Sequence, residues 1–195
     1  MSKILYIDAS VRKNSRTKEL GDYLIKKLNN DYEYLRLIDA KFIKLDEEKL
    51  LWRMKKSEVK DFSDHYFDYA KMVKGAEEIV IVAPFWDLSF PSVLKDFIEE
   101  ICINNLTFYY NEDGIPVSLV KTKKVYYVTT AGGFIPKNDY GYSYIKEVFS
   151  SFFGVENFEL VKAEGLDILG NNEKEIIEKA KKNIDAFIKN IGKYC

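Results

Sequence analysis

The 195-residue sequence holds only two cysteines, Cys102 and Cys195, one histidine, His65, and four prolines. Neither cysteine has a partner at metal-site or disulfide-framework spacing, so both read as reduced, incidental thiols. His65 falls on a predicted helix among aromatics with no Cys or acidic cluster at ligand spacing, which argues against a metal site. An excess of one charge is missing too. With 30 basic against 31 acidic residues the net charge is −1, and no overall field favours nucleic acid, an anionic membrane or a polycationic partner. Long apolar runs are also lacking. Asp8 cuts the N-terminal run short of a signal-peptide core, and the longest stretch, Ile79 to Trp86, falls far below the roughly 20 residues that span a bilayer. A cytoplasmic location is expected. No repeat, low-complexity tract or Gly/Pro/Ser-rich linker divides the chain, so residues 1–195 are expected to form one domain.

What is present is a composition 47% apolar and 31% charged, that of a globular protein able to bury a core. Short, nearly uninterrupted apolar runs at Ile4–Ile7, Ile79–Ala83 and Val125–Val128 read as parallel strands covered on both faces. Phe158–Val161 is a fourth strand, and the alternating Tyr34–Ile38 suits a sheet edge. Helical patterns lie between them: 17–28, 47–74 with a break near Asp61, 92–104, 142–153 and 173–191. In the last of these Ile176, Ile177, Ala180, Ile184, Phe187, Ile188 and Ile191 recur at i, i+3, i+4 spacing, the signature of an amphipathic covering helix. Strands alternating with helices predict α/β architecture, a three-layer doubly wound sheet of five parallel strands. Residues 106–118 depart from the alternation. Aromatics flanking Asn111-Glu112-Asp113-Gly114 predict a hairpin excursion, expected near the carboxyl edge of the sheet.

Doubly wound sheets bind ligands at the carboxyl ends of their strands, which directs attention to three loops. The loop Asp8 to Thr17 supplies three hydroxyls, an amide and three cations before a helix begins, a setting that suits a phosphate. It carries neither G-x-x-x-x-G-K-[ST] nor G-x-G-x-x-G, which disfavours nucleoside triphosphates and a Rossmann-bound dinucleotide. Simple capping by Ser15 or Thr17 beside solvated cations is the alternative. The loop Pro84 to Pro91 places Phe85, Trp86 and Phe90 where a loop is expected to be exposed, which suggests a wall for a flat ring. Packing on the next helix or a subunit contact is its alternative. In Thr129-Thr130-Ala131-Gly132-Gly133-Phe134 the paired glycines permit positive φ and let main-chain amides approach a ligand, or else form a plain turn.

Five stretches in order, Ser10 to Thr17, Ala83 to Leu88, Leu106 to Tyr110 with its Gly114 turn, Thr129 to Gly133 and Ala163 to Gly165, resemble the FMN-dependent NADH:quinone oxidoreductase and azoreductase family. This family lies within the flavodoxin-like quinone reductases, and the similarity covers nearly the whole chain. It implies the strand order 2-1-3-4-5 and a non-covalent FMN. Ser10, Ser15, Arg16 and Thr17 would hold its phosphate; Phe85, Trp86, Asp87 and Leu88, with Thr130, Ala131, Gly132 and Gly133, would surround its ring. The implied activity takes electrons from NADH or NADPH to a quinone or azo acceptor in a ping-pong cycle, in a homodimer with active sites at the interface. The chemistry is the cofactor's, so no catalytic side chain is assigned. Tyr110, Phe134 and Phe153 are candidates to sandwich the acceptor, with core or interface packing as their alternative. Two positions depart from the family pattern. Asp87 stands where many relatives carry Asn, and its main-chain amide rather than its carboxylate is expected to serve the ring. Ala131 replaces a larger polar residue common in azoreductases and leaves substrate preference open.

Three rivals stand beside this expectation. A flavodoxin-type electron carrier would be strongly acidic and would have no use for the 106–118 excursion. A phosphatase of similar architecture needs a nucleophilic cysteine in the first loop, and none is there. A flavin-binding module without turnover fits the sequence as well.

Overall fold

A computed structural model describes residues 4–191. The chain runs β1 (Ile4–Asp8), α1 (Arg16–Leu28), β2 (Tyr32–Arg36), α2 (Glu47–Glu58), α3 (Asp68–Gly75), β3 (Glu78–Val82) and α4 (Ser92–Ile101). It continues through β4 (Phe108–Tyr110), β5 (Pro116–Ser118), β6 (Lys124–Thr130), α5 (Tyr142–Ser151), β7 (Asn157–Ala163) and α6 (Glu173–Ile191). Five strands form one parallel sheet in the order β2-β1-β3-β6-β7, which is 2-1-3-4-5 when only this sheet's strands are counted. The expected flavodoxin-like winding and the edge placement of the second strand are both present.

The uninterrupted apolar runs are explained by burial on both faces. In β3, Ile79 and Ile81 face a core built with α3, α4 and α5, while Val80 and Val82 face a second core built with α1 and α6, and all four are fully buried. Each such side chain contributes about 1.5–3 kcal/mol on leaving water. Helix α1 lies unusually close to the sheet. A Cβ on Gly21 would stand 2.4 Å from Val82 Cγ2, so only glycine permits this approach. The helices α1 and α6 are joined by Lys181 to Glu19 at 2.7 Å and by Tyr23 Oη donating to Asp185 at 3.0 Å.

The break expected near Asp61 is real. Helix α2 ends at Glu58, Lys60 takes a left-handed φ of 55°, and Asp61 accepts from the N–H and hydroxyl of Ser63 before a short 3-10 turn over His65–Phe67 leads into α3.

The hairpin forms as expected, with Tyr109 opposite Val117 in the antiparallel pair β4–β5, but at the other end of the molecule. Helix α4 runs back against the strands and delivers the chain to their amino ends. There Lys121 N–H donates to Lys74 O, Lys123 N–H to Glu77 O and Thr122 Oγ1 to Ala76 O, all just before β3 begins. Cys102, at the end of α4, is a free thiol that burial pushes up to about 12, whereas Cys195 lies outside the described residues.

Candidate functional site

At the carboxyl ends of β1, β3 and β6 the three loops meet around a cleft of about 260 Å³. Its lining includes Ser15, Arg16, Thr17, Phe85, Trp86, Thr130 and Gly132, all expected from sequence, together with Val11, Arg12, Asn14, Pro84 and Asp167.

The first loop is held from below. Asp8, fully buried at the end of β1, accepts from Ser10 N–H at 2.8 Å, from Ser10 Oγ at 2.5 Å and from Tyr34 Oη at 2.7 Å. Ser10 therefore turns its hydroxyl inward and is 1% exposed, so it braces the loop and does not line the cleft as expected. Ser15 is the N-cap of α1, its hydroxyl accepting from Lys18 N–H at 3.2 Å, so the capping alternative is met while the residue still borders the cleft. Thr17 Oγ1 and Thr130 Oγ1 share a buried hydrogen bond of 2.6 Å, which ties the start of α1 to the end of β6. Above them the main-chain N–H groups of Val11–Asn14 and Arg16–Thr17 have no partner among the described residues. Val11 to Asn14 are exposed, so their amides are open to solvent or a ligand, and free N–H groups leading into a helix start form a ready anion cradle.

Charge in the cleft is mixed. Arg16 is paired with Asp167 at 2.8 Å and Glu173 at 3.3 Å, and Arg12 stacks over Trp86, its guanidinium 5.8 Å from the ring centre. The Arg16 hydrogen bond holds the Asp167 carboxyl below the usual carboxylate range, so this pair persists through neutral pH. Because the folded value is depressed, the pair's contribution is present above the ordinary Asp range and is lost as pH falls through the lowered value. Asp167 follows the Ala163-Glu164-Gly165 stretch by two residues and escaped notice because a lone carboxylate in a phosphate site runs against the expected charge.

The wall loop is a two-residue hairpin. Trp86 and Ser89 exchange main-chain hydrogen bonds of 3.1 and 2.8 Å around Asp87 at φ 51° and Leu88 at φ 66°. Positive φ at both central positions defines a turn that favours Asn-Gly, so a leucine there is strained, and it is also 55% exposed. The N–H groups of Asp87 and Leu88 have no partner among the described residues.

In the third loop the glycines do not take the backbone conformation that their pairing permits. Neither Gly132 nor Gly133 takes positive φ. Gly132 leaves room for Asp167, since a Cβ there would stand 2.3 Å from Asp167 Oδ2 and 3.2 Å from Asp167 Cβ and would push that carboxylate aside, while a Cβ on Gly133 would meet nothing. Ala131 is buried, its N–H donating to Ala163 O at 2.9 Å. The N–H groups of Gly132, Gly133 and Phe134 are unpartnered among the described residues.

The three aromatic candidates scatter. Phe134 is 72% exposed beside Gly165. Tyr110 sits on the hairpin at the opposite end of the sheet. Phe153 is 2% exposed and packs edge-on against Phe149 in the core, so it cannot touch an acceptor; its apolar helix-end position read equally well either way.

Among the described residues no helix is long and apolar enough to cross a membrane. A sequence-family model described as "Flavodoxin-like fold" matches residues 2–188. An FMN-dependent NADH:quinone oxidoreductase 2 of Clostridium acetobutylicum is 34% identical, over 96% of this chain and all of that one. An FMN-dependent NADH:quinone oxidoreductase of Clostridium perfringens is 32% identical, over 96% and 97%. Among solved structures, an FMN-dependent NADH-azoreductase from Bacillus anthracis in complex with FMN superposes with a TM-score of 0.79 at 24% identity, covering 98% of this chain and 99% of that one, which bears on the fold. With the flavodoxin-like strand order and this sequence similarity together, the chain belongs to the FMN-dependent NADH:quinone oxidoreductase family within the flavodoxin-like fold.

Proposed function

We propose that this protein is a cytoplasmic FMN-dependent oxidoreductase that passes electrons from NADH or NADPH to quinone or azo acceptors. One observation carries the reading: three loops at one sheet edge present main-chain N–H groups without a partner among the described residues, at Val11–Asn14 and Arg16–Thr17, at Asp87–Leu88 and at Gly132–Phe134. A phosphate fits the first set, where Ser15, Arg16 and Thr17 are joined by Arg12 and Asn14. The second and third sets border Trp86 and suit the polar edge of a planar ring, with the amides of Asp87 and Leu88 acting in place of their side chains. When bound, FMN supplies the redox chemistry, taking two electrons from the nicotinamide and yielding them to the acceptor.

The chain's own contribution is to bind, orient and partly enclose the ring. A ring held by these loops would leave one face for donor and acceptor to use in turn, the basis of the proposed ping-pong cycle, which asks for no acid–base side chain. Tyr110 is 51% exposed at the far end of the sheet, so a role for it toward the acceptor requires a homodimer with sites at the interface, which is proposed together with it. The test is anaerobic addition of NADH to FMN-loaded protein, followed by menadione. Bleaching and then recovery of the flavin absorbance supports the reading. Bleaching by dithionite but by neither NADH nor NADPH would leave a flavin-binding module without turnover.

A further inference from the structure

Among the described residues, Asp167 is the only acidic residue lining a cleft otherwise furnished for a phosphate. The main chain puts it there. Gly165 N–H donates to Gly133 O at 2.8 Å, Leu166 N–H to Ala131 O at 3.2 Å and Asp167 N–H to Gly132 O at 2.9 Å, so the segment after β7 lies along the third loop. Gly132 carries no side chain, and Asp167 Oδ2 lies 2.3 Å from the point where its Cβ would be. From there the carboxylate grips Arg16 with both oxygens, Oδ1 at 2.8 Å from Nη1 and Oδ2 at 3.4 Å from Nη2. Glu173, in the first turn of α6, accepts a second bond from Nη1 at 3.3 Å but does not line the cleft.

Two carboxylates thus claim the arginine that the start of α1 offers to a phosphate. A phosphate monoester carries about −1.5 to −2 charges at neutral pH, so it competes with Asp167 for Arg16. Displacing the carboxylate is easy, because the Asp167 side chain is 64% exposed and an ion pair so open to water contributes little. Repulsion is what remains. The main-chain bonds keep residue 167 beside the cleft after Arg16 has changed partner, and an exposed carboxylate stays ionised at neutral pH. That repulsion grows in proportion to the charge of the arriving anion. Arg12, the other cation in the lining, lies over Trp86 with its guanidinium 5.8 Å from the ring centre.

We propose that Asp167 is a specificity-determining residue, which competes with the incoming anion for Arg16 and so favours a phosphate monoester over more highly charged anions such as polyphosphates. The proposal rests on the reading of this cleft as the FMN site and deepens it.

The test is titration of the full chain, Asp167→Asn, Asp167→Ala and Glu173→Gln with four ligands. Inorganic phosphate and inorganic tripolyphosphate are followed by phosphorus NMR, FMN and riboflavin by flavin fluorescence. Both Asp167 variants should bind phosphate and FMN about tenfold tighter than the natural chain, and tripolyphosphate about thirtyfold tighter or more. Riboflavin, which carries no phosphate, should show no gain, and Glu173→Gln should gain less than about threefold on any anion. Unchanged or weaker phosphate binding by both Asp167 variants, a gain no larger for tripolyphosphate than for phosphate, an equal gain for riboflavin, or an equal gain in Glu173→Gln would each overturn the proposal. Failure of every protein to bind FMN would count against the cofactor reading alone, since the two inorganic anions still decide the role of Asp167.

Discussion

Asp8, Ser10, Ser15, Thr17 and Arg16 are tied into β1, β2, α1, β6 and the 165–173 segment by side-chain hydrogen bonds and an ion pair. The loop 84–91 across the same cleft is held differently, by main-chain bonds around two residues at positive φ, with Leu88 mostly exposed. The phosphate end is thus fixed before any ligand arrives, while the ring end carries strain and exposed apolar surface. Binding energy at a preformed anion cradle is not spent on ordering the loop. Strain at the other end is the pattern expected where a ligand, and not the fold, specifies the backbone.

Breaking the rigid end has the largest expected effect. Asp8→Ala strands the buried Ser10 donors and releases the part-exposed Tyr34 hydroxyl, and is expected to cost about 2–4 kcal/mol of stability. It should also weaken FMN binding at least tenfold, measured by urea unfolding and by flavin titration; full retention of both would show that the buried carboxylate does not organise the loop. Thr130→Val, close in volume, leaves the Thr17 hydroxyl unpaired and is expected to cost about 1–2 kcal/mol in the same unfolding experiment. The strained end should respond with the opposite sign. Replacing Asp87-Leu88 by Asn-Gly supplies the residues that the turn favours, and stability is expected to rise by about 0.5–1 kcal/mol while FMN affinity falls a few-fold. Asp87→Asn alone should leave the flavin midpoint potential unchanged, and a large rise would show that the carboxylate faces the ring. The smallest effect concerns the thiol outside the cleft. With Cys195→Ser in place, Cys102, pushed up to about 12 by burial, should resist thiol reagents at neutral pH until the protein is unfolded.

The sheet was readable because β1, β3 and β6 are buried on both faces and carry no alternation to mislead, and β2 was readable as an edge because Arg36 interrupts its apolar residues, although the strand is exposed over Tyr32–Tyr34 and half-buried after that instead of alternating. The cleft was readable because doubly wound topology fixes which loops converge. What the sequence hid depends on direction and distance. Ser10 faces down, not up, because Asp8 sits beneath it, and Gly132 leaves room for Asp167, which crosses it from a segment 35 residues later in the chain. The hairpin's place was misjudged because its turn chemistry says nothing of the direction in which α4 returns the chain.

The central claim is that the free amides of Val11–Asn14 and Arg16–Thr17 hold a phosphate joined to a planar ring. Parallel titrations of the purified protein with FMN and with riboflavin, which lacks only that phosphate, test it directly. One FMN should bind per chain, with riboflavin about 100-fold weaker for the loss of two or more charge-assisted hydrogen bonds. Equal affinity for the two, or no uptake of either by folded protein, would contradict the account.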